Sequence, residues 1–158
     1  MRLLFVCTGN TCRSPLAEAI ARKVAIEQGL PDLEASSAGT SAWEGASASD
    51  GALLVGLERG LDLNAHRSRQ LDRDLVAEAD VVLAMGPHHL ERIEALGGEG
   101  KAHLISAYAS RGKNTRPVND PMGAELDVYR ATVDELDRLV RLCIDRANAE
   151  PGSGQTTA

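Results

Sequence analysis

Apolar positions along this chain follow two rhythms. Leu3, Leu4, Phe5 and Val6 form a short unbroken apolar run, as in a strand buried on both faces. The stretch Asp80-Val81-Val82-Leu83-Ala84-Met85 repeats it. Elsewhere apolar residues recur at three and four positions, the spacing of one helix face. Leu16, Ala17, Ala19, Ile20, Val24 and Ala25 make one such stripe; Leu126, Tyr129, Val133, Leu136, Val140, Cys143, Ile144 and Ala147 make a longer one, mainly scaffold. The pattern predicts strands near 2–7, 33–38, 80–85 and 101–105, and helices near 14–29, 48–60, 71–78, 87–96 and 124–148. Alternation of this kind implies an α/β fold in three layers, a parallel sheet with helices on both faces. Ligands of such sheets bind at the carboxyl ends of the strands.

A length of 158 residues with 43% hydrophobic content suits one well-packed core, so a single domain is expected over 1–149. The remainder, 150–158, is Glu-Pro-Gly-Ser-Gly-Gln-Thr-Thr-Ala; it has nothing to bury and is expected to be disordered. The net charge of −6, with both signs interspersed, argues against a nucleic-acid partner. The apolar run at Leu3–Cys7 is too short for a signal-peptide core or a membrane span. No membrane partner is therefore expected, and a cytoplasmic location is. Three cysteines, without Cys-x-x-Cys spacing or paired histidines, suggest neither a disulfide framework nor a metal site. Cys143 lies in the long helical stripe and reads as a small core hydrophobe.

The chemistry concentrates in Cys7-Thr8-Gly9-Asn10-Thr11-Cys12-Arg13-Ser14-Pro15. A strand delivers Cys7 to its end; Ser14 as N-cap and Pro15 in the first turn begin a helix. Such a strand, loop and helix start aim backbone N–H groups and the positive helix end at one point, which suits a dianion. The same field, with the Arg13 guanidinium, favours the attacking thiolate of Cys7. Arg13 offers planar bidentate donors matching two phosphoryl oxygens, a geometry Lys cannot copy. Thr8, Gly9, Asn10, Thr11 and Cys12 would line or support the phosphate cradle. Asn10 suits a left-handed loop conformation. No metal or other cofactor is called for, because the N–H groups and Arg13 already meet the oxyanion.

This C-x5-R-[ST] loop at the start of the chain resembles the low molecular weight protein tyrosine phosphatases. The likeness continues through Ser37-Ala38-Gly39-Thr40, His66-Arg67-Ser68-Arg69-Gln70, the strand at Asp80–Met85 and Asp120-Pro121, from about Met1 to Ala147. The resemblance implies four parallel strands, a phosphocysteine intermediate at Cys7 and phosphorylated proteins as substrates. It also implies that Asp120, alone an ordinary Asp-Pro turn, protonates the leaving group and then activates water. Ser14 would donate to the Cys7 sulfur besides capping the helix. Asn10 would belong to a supporting network that includes a histidine, here His66, which by itself reads equally as structural. In the family Cys7 and Cys12 can pair reversibly; Cys12 can equally pack beneath the loop.

Substrate choice rests on few positions. The resemblance associates Ile at the place of Thr11 with tyrosine-directed members and Thr with the bacterial protein arginine phosphatases. After Asp120-Pro121 the chain has Met122-Gly123 rather than the aromatic residues that flank a phenol ring, although the arginine branch also has an aromatic where Met122 stands. Trp43 points the other way if it forms a wall for a phenyl ring, unless it packs internally. Guanidine, with a pKa above about 12, leaves less readily than phenol at about 10, so either substrate needs Asp120 and the first needs it more. Phosphoarginine is favoured over phosphotyrosine. An arsenate reductase of this fold would need two further cysteines placed together, and outside the Cys7–Arg13 loop only Cys143 remains. His88 and His89 are expected at the surface, His103 in a strand without a partner, and Asp72 and Asp74 in the first turn of a helix.

Overall fold

A computed structural model describes residues 1–150; the tail expected to be disordered lies, from Pro151 onward, outside the described residues. The elements are β1 (Arg2–Cys7), α1 (Arg13–Glu27), β2 (Glu34–Gly39), α2 (Asp50–Glu58), α3 (Arg73–Glu78), β3 (Val81–Ala84), α4 (Pro87–Ile93), β4 (Ala102–Leu104), α5 (Ile105–Ser110) and α6 (Leu126–Ala149). Among these residues the strands form one sheet of order β2-β1-β3-β4, and every pairing is parallel. This is the four-stranded α/β architecture expected.

The unbroken apolar run of β1 is resolved by the pleat, which sends alternate residues to opposite faces. Leu3, Phe5 and Cys7 join the larger core with Leu16 and Ile20 of α1, Val55 of α2, Ile105 of α5 and Leu136 and Ile144 of α6. Leu4 and Val6 join the smaller core with Val76 of α3 and Ile93 of α4. Because β1 lies inside the sheet, its carboxyl end opens between β2 and β3. There Cys7 pairs in register with Gly39.

Local chemistry explains several element ends. Ser49 caps α2 by accepting from Ala52 N, and Asp72 caps α3 by accepting from Leu75 N. The helix expected over 87–96 stops at Ile93 and passes into a π-helical turn, Glu94–Gly98, where Gly97 takes φ 96°. The short α5 was not expected; its six residues are too few to display a helical period. His103 does have a neighbour, the Tyr108 ring at 5.0 Å between centroids. No helix among the described residues is long and apolar enough to cross a membrane.

Candidate active site

The loop from Cys7 to Arg13 is held by its carbonyls. Cys7 O accepts from Thr40 N, Thr8 O from Ser41 N and Thr11 O from Ser49 N, each at 2.8–2.9 Å. Asn10 O accepts from His66 Nε2 at 2.7 Å, which assigns the His66 proton to Nε2, since a carbonyl can only accept. With the carbonyls drawn outward, the amide N–H groups of Thr8 to Cys12 donate to no protein acceptor among the described residues. That leaves them available to an anion bound beside Cys7, as an anion cradle requires.

Asn10 organises this turn. It sits at φ 56°, a left-handed conformation that Asn tolerates better than most residues, and it is fully buried. Its Nδ2 donates to Ser14 Oγ at 2.8 Å and Ser37 Oγ at 2.9 Å, and its Oδ1 accepts from Arg69 N at 3.0 Å. Ser37 in turn donates to Glu18 Oε1 at 2.7 Å. Gly39 lets β2 approach: a Cβ there would stand 2.4 Å from Thr8 O and 3.0 Å from Asn10 N. Ser37, Gly39 and Arg69 belong to segments that carried the resemblance without a role; Glu18 carried no sequence signal of its own.

The structure corrects the expected cap. Helix α1 starts at Arg13 with Cys12 as N-cap and no side-chain cap bond, so Ser14 is the second helical residue and Pro15 the third. Pro15 still lies where a missing N–H costs nothing. Ser14 Oγ instead lies 2.9 Å from Cys7 Sγ. Because Asn10 occupies an acceptor site of that hydroxyl, its proton is free to donate to a Cys7 thiolate.

Arg13 is nearly buried, at 6% exposure. Its NH1 donates to Val118 O at 3.0 Å and its NH2 approaches Thr8 Oγ1 at 3.5 Å. The same NH2 lies 3.7 Å from Asp120 Oδ2, so the loop before α6 brings its carboxylate to the cradle. Asp120 is half-exposed, and its Oδ1 accepts from Met122 N at 3.0 Å, closing an Asx turn. Tyr129, buried over Gly51, reaches Met122 Sδ with its hydroxyl at 3.8 Å.

The remaining expected residues divide. Thr11 is half-buried, with Oγ1 over Gly9. Trp43 does not pack internally; it is 85% exposed, held through its carbonyl by the Ser68 hydroxyl. Met122 is 52% exposed. Cys12 is a buried free thiol whose pKa is pushed up to about 12, first by burial and then by the charges of Cys7 and Asp120. His88 is exposed as expected, but His89 is fully buried rather than at the surface. The two rings lie against each other, 3.9 Å between centroids, and the inner one meets the Cys7–Arg13 loop: His89 Nε2 is 2.8 Å from Thr8 Oγ1.

A profile of the family described as "Low molecular weight phosphotyrosine protein phosphatase" matches residues 2–150. The chain belongs to that family. A protein-arginine-phosphatase of Geobacillus stearothermophilus is 38% identical over 149 residues, covering 94% of this chain and 97% of that one. A low molecular weight protein-tyrosine-phosphatase, PtpB of Staphylococcus haemolyticus, is 33% identical over 141 residues, covering 89% and 95%. Among solved structures, a YwlE arginine phosphatase mutant with a phosphorylated active site serine superposes with a TM-score of 0.87 at 34% identity, covering 96% of this chain and 98% of that one. The chain is therefore a cysteine-dependent phosphatase of this family.

Proposed function

We propose that this enzyme removes phosphate from arginine side chains of phosphorylated proteins, with Cys7 as nucleophile, Arg13 as phosphoryl ligand and Asp120 as acid and base. The observation that carries the roles is the convergence of Asp120 and the cradle on one guanidinium, 3.7 Å from NH2 of Arg13. The Cys7 thiolate attacks phosphorus, the P–N bond breaks, and its electron pair takes the Asp120 proton, releasing arginine. Water then attacks the phosphocysteine, Asp120 accepts its proton, and the S–P bond breaks to give phosphate and a thiolate met by the Ser14 hydroxyl. For the first step Asp120 must be protonated. The relative with a phosphorylated active site serine supports phosphate transfer to Cys7.

The choice of arginine is supported by Thr11 in the loop and by the 38% identity to a protein-arginine-phosphatase. Exposed Trp43 favours the alternative, phosphotyrosine, because a free indole face can flank a phenol. An arsenate reductase is disfavoured: Cys143 is fully buried in α6, its pKa pushed up to about 12 by that burial, and cannot relay a disulfide outward. The deciding measurement is kcat/KM on matched phosphoarginine and phosphotyrosine peptides, for the wild type and Thr11→Ile. A phosphoarginine preference that Thr11→Ile reverses is expected; a wild-type preference for phosphotyrosine overturns the assignment.

A further inference from the structure

His89 stands outside the active loop, in α4, yet reaches it. Its ring is fully buried, Nε2 is 2.8 Å from Thr8 Oγ1, and Nδ1 is buried with no hydrogen-bond partner. Burial, with His88 and Arg13 acting in the same direction and Asp120 opposing them, holds its pKa down at about 4, so at neutral pH the ring is uncharged and carries one proton. On Nδ1 that proton would be a buried donor without an acceptor, whereas a bare lone pair there is the less costly orphan. The proton therefore sits on Nε2 and is donated to Thr8 Oγ1.

Thr8 Oγ1 also faces Arg13 NH2 at 3.5 Å, a group that can only donate. A hydroxyl has two acceptor sites and one proton. With both acceptor sites turned to donors, the Thr8 proton needs an acceptor, and no described residue supplies one. A phosphoryl oxygen held by the loop N–H groups and Arg13 meets that need.

We infer that the Thr8 hydroxyl donates to the phosphoryl group of the substrate and that His89, a positioning residue that does not touch substrate, aims it. This deepens the phosphatase reading and rests on phosphate occupying the Cys7–Arg13 loop. It adds to the backbone cradle a side-chain donor whose direction is set from a different helix.

The test compares the full chain as wild type, Thr8→Val, His89→Leu and the double variant, reading KM, kcat and the inhibition constant of inorganic phosphate. Each single change raises KM and the phosphate constant together, about tenfold, with kcat altered less than about twofold, because the lost interaction is made in ground and transition states alike. The double variant is no weaker than Thr8→Val, since His89 then has nothing to aim. Additive weakening in the double variant, or an unchanged phosphate constant in Thr8→Val, overturns the inference. His89→Gln retains an amide donor and restores most of the binding; failure to do so while folded also counts against it. Long-range proton–nitrogen NMR of the unmodified chain provides a check that requires no variant to fold: the Nε2–H tautomer is expected, and the Nδ1–H tautomer overturns the inference. Inorganic phosphate has no leaving group, so these outcomes are independent of whether arginine or tyrosine is the substrate.

Discussion

The Asp120 carboxylate faces the Arg13 guanidinium at 3.7 Å, with one partner almost buried and the other half-exposed. The buried cation keeps its place through the Val118 carbonyl, while the half-exposed carboxylate stays open to solvent, as the proposed acid role requires. An acid of this kind matters in proportion to how poorly the substrate group leaves.

Asp120→Asn should therefore lower kcat on a phosphoarginine peptide by about 10²–10⁴ while leaving KM within a few-fold. The loss should shrink on an aryl phosphate whose phenol is strongly acidic, because that group departs without a proton. Steady-state kinetics on both substrates checks this; equal losses would remove Asp120 from the acid role.

Gly39→Ala places a Cβ 2.4 Å from Thr8 O and 3.0 Å from Asn10 N, against backbone that cannot yield without deforming the cradle. We expect a loss of about 1–3 kcal/mol in denaturant unfolding, accompanied by weaker phosphate inhibition. Loss of stability with intact phosphate binding would show that the loop tolerates the displacement.

Cys12 and Cys143 both have their thiol pKa pushed up to about 12, mainly by burial. At pH 8 about one such thiol in ten thousand is ionised, too few to compete as nucleophile. A limiting dose of iodoacetamide at neutral pH should label Cys7 alone and abolish activity in step, as peptide mapping would show. Early labelling of Cys12 would mean that the loop opens more readily than its hydrogen bonds imply.

His89 is protonated in the folded protein only near pH 4, against 6.5 for a free imidazole. The folded pKa is depressed, so below 6.5 the unfolded chain binds a proton that the folded chain does not. Stability contributed by the neutral ring is present above about 6.5 and declines as pH falls towards 4, by at most about 1.4 kcal/mol per pH unit. His103, also depressed by burial and by Arg146, adds to the wild-type slope, so the difference between wild type and His89→Gln is the relevant quantity. Urea unfolding at pH 7 and pH 5 should show the wild type losing more stability than His89→Gln; parallel losses would contradict a neutral buried His89.

Much of the site is local in the chain, which is why it was legible there. Cys7, Arg13 and Ser14 sit in one loop whose spacing carries the chemistry, and the strand before it announces itself by composition. What was misread depended on contacts between distant segments. Ser14 read as an N-cap because Ser before an apolar stripe usually is one, yet Asn10 and Cys7 claim its hydroxyl. His89 read as a surface residue because nothing near it in the chain marks Thr8 as its partner.

Hydrophobic periodicity, the C-x5-R loop and the small residues around it determined by themselves the parallel α/β layering, the strand that carries the nucleophile and the phosphate chemistry at its end, because each is written in residues a few positions apart. Only the tertiary structure decided that Asp120 meets Arg13, that Gly39 makes room for the loop, that the Glu18–Ser37–Asn10–Ser14 chain of hydrogen bonds ends at Cys7, and that His89 is buried against Thr8. The reason is physical: a hydrogen bond or a close backbone approach is specific to within a few tenths of an ångström, and that precision exists only once the sheet has set distant loops side by side.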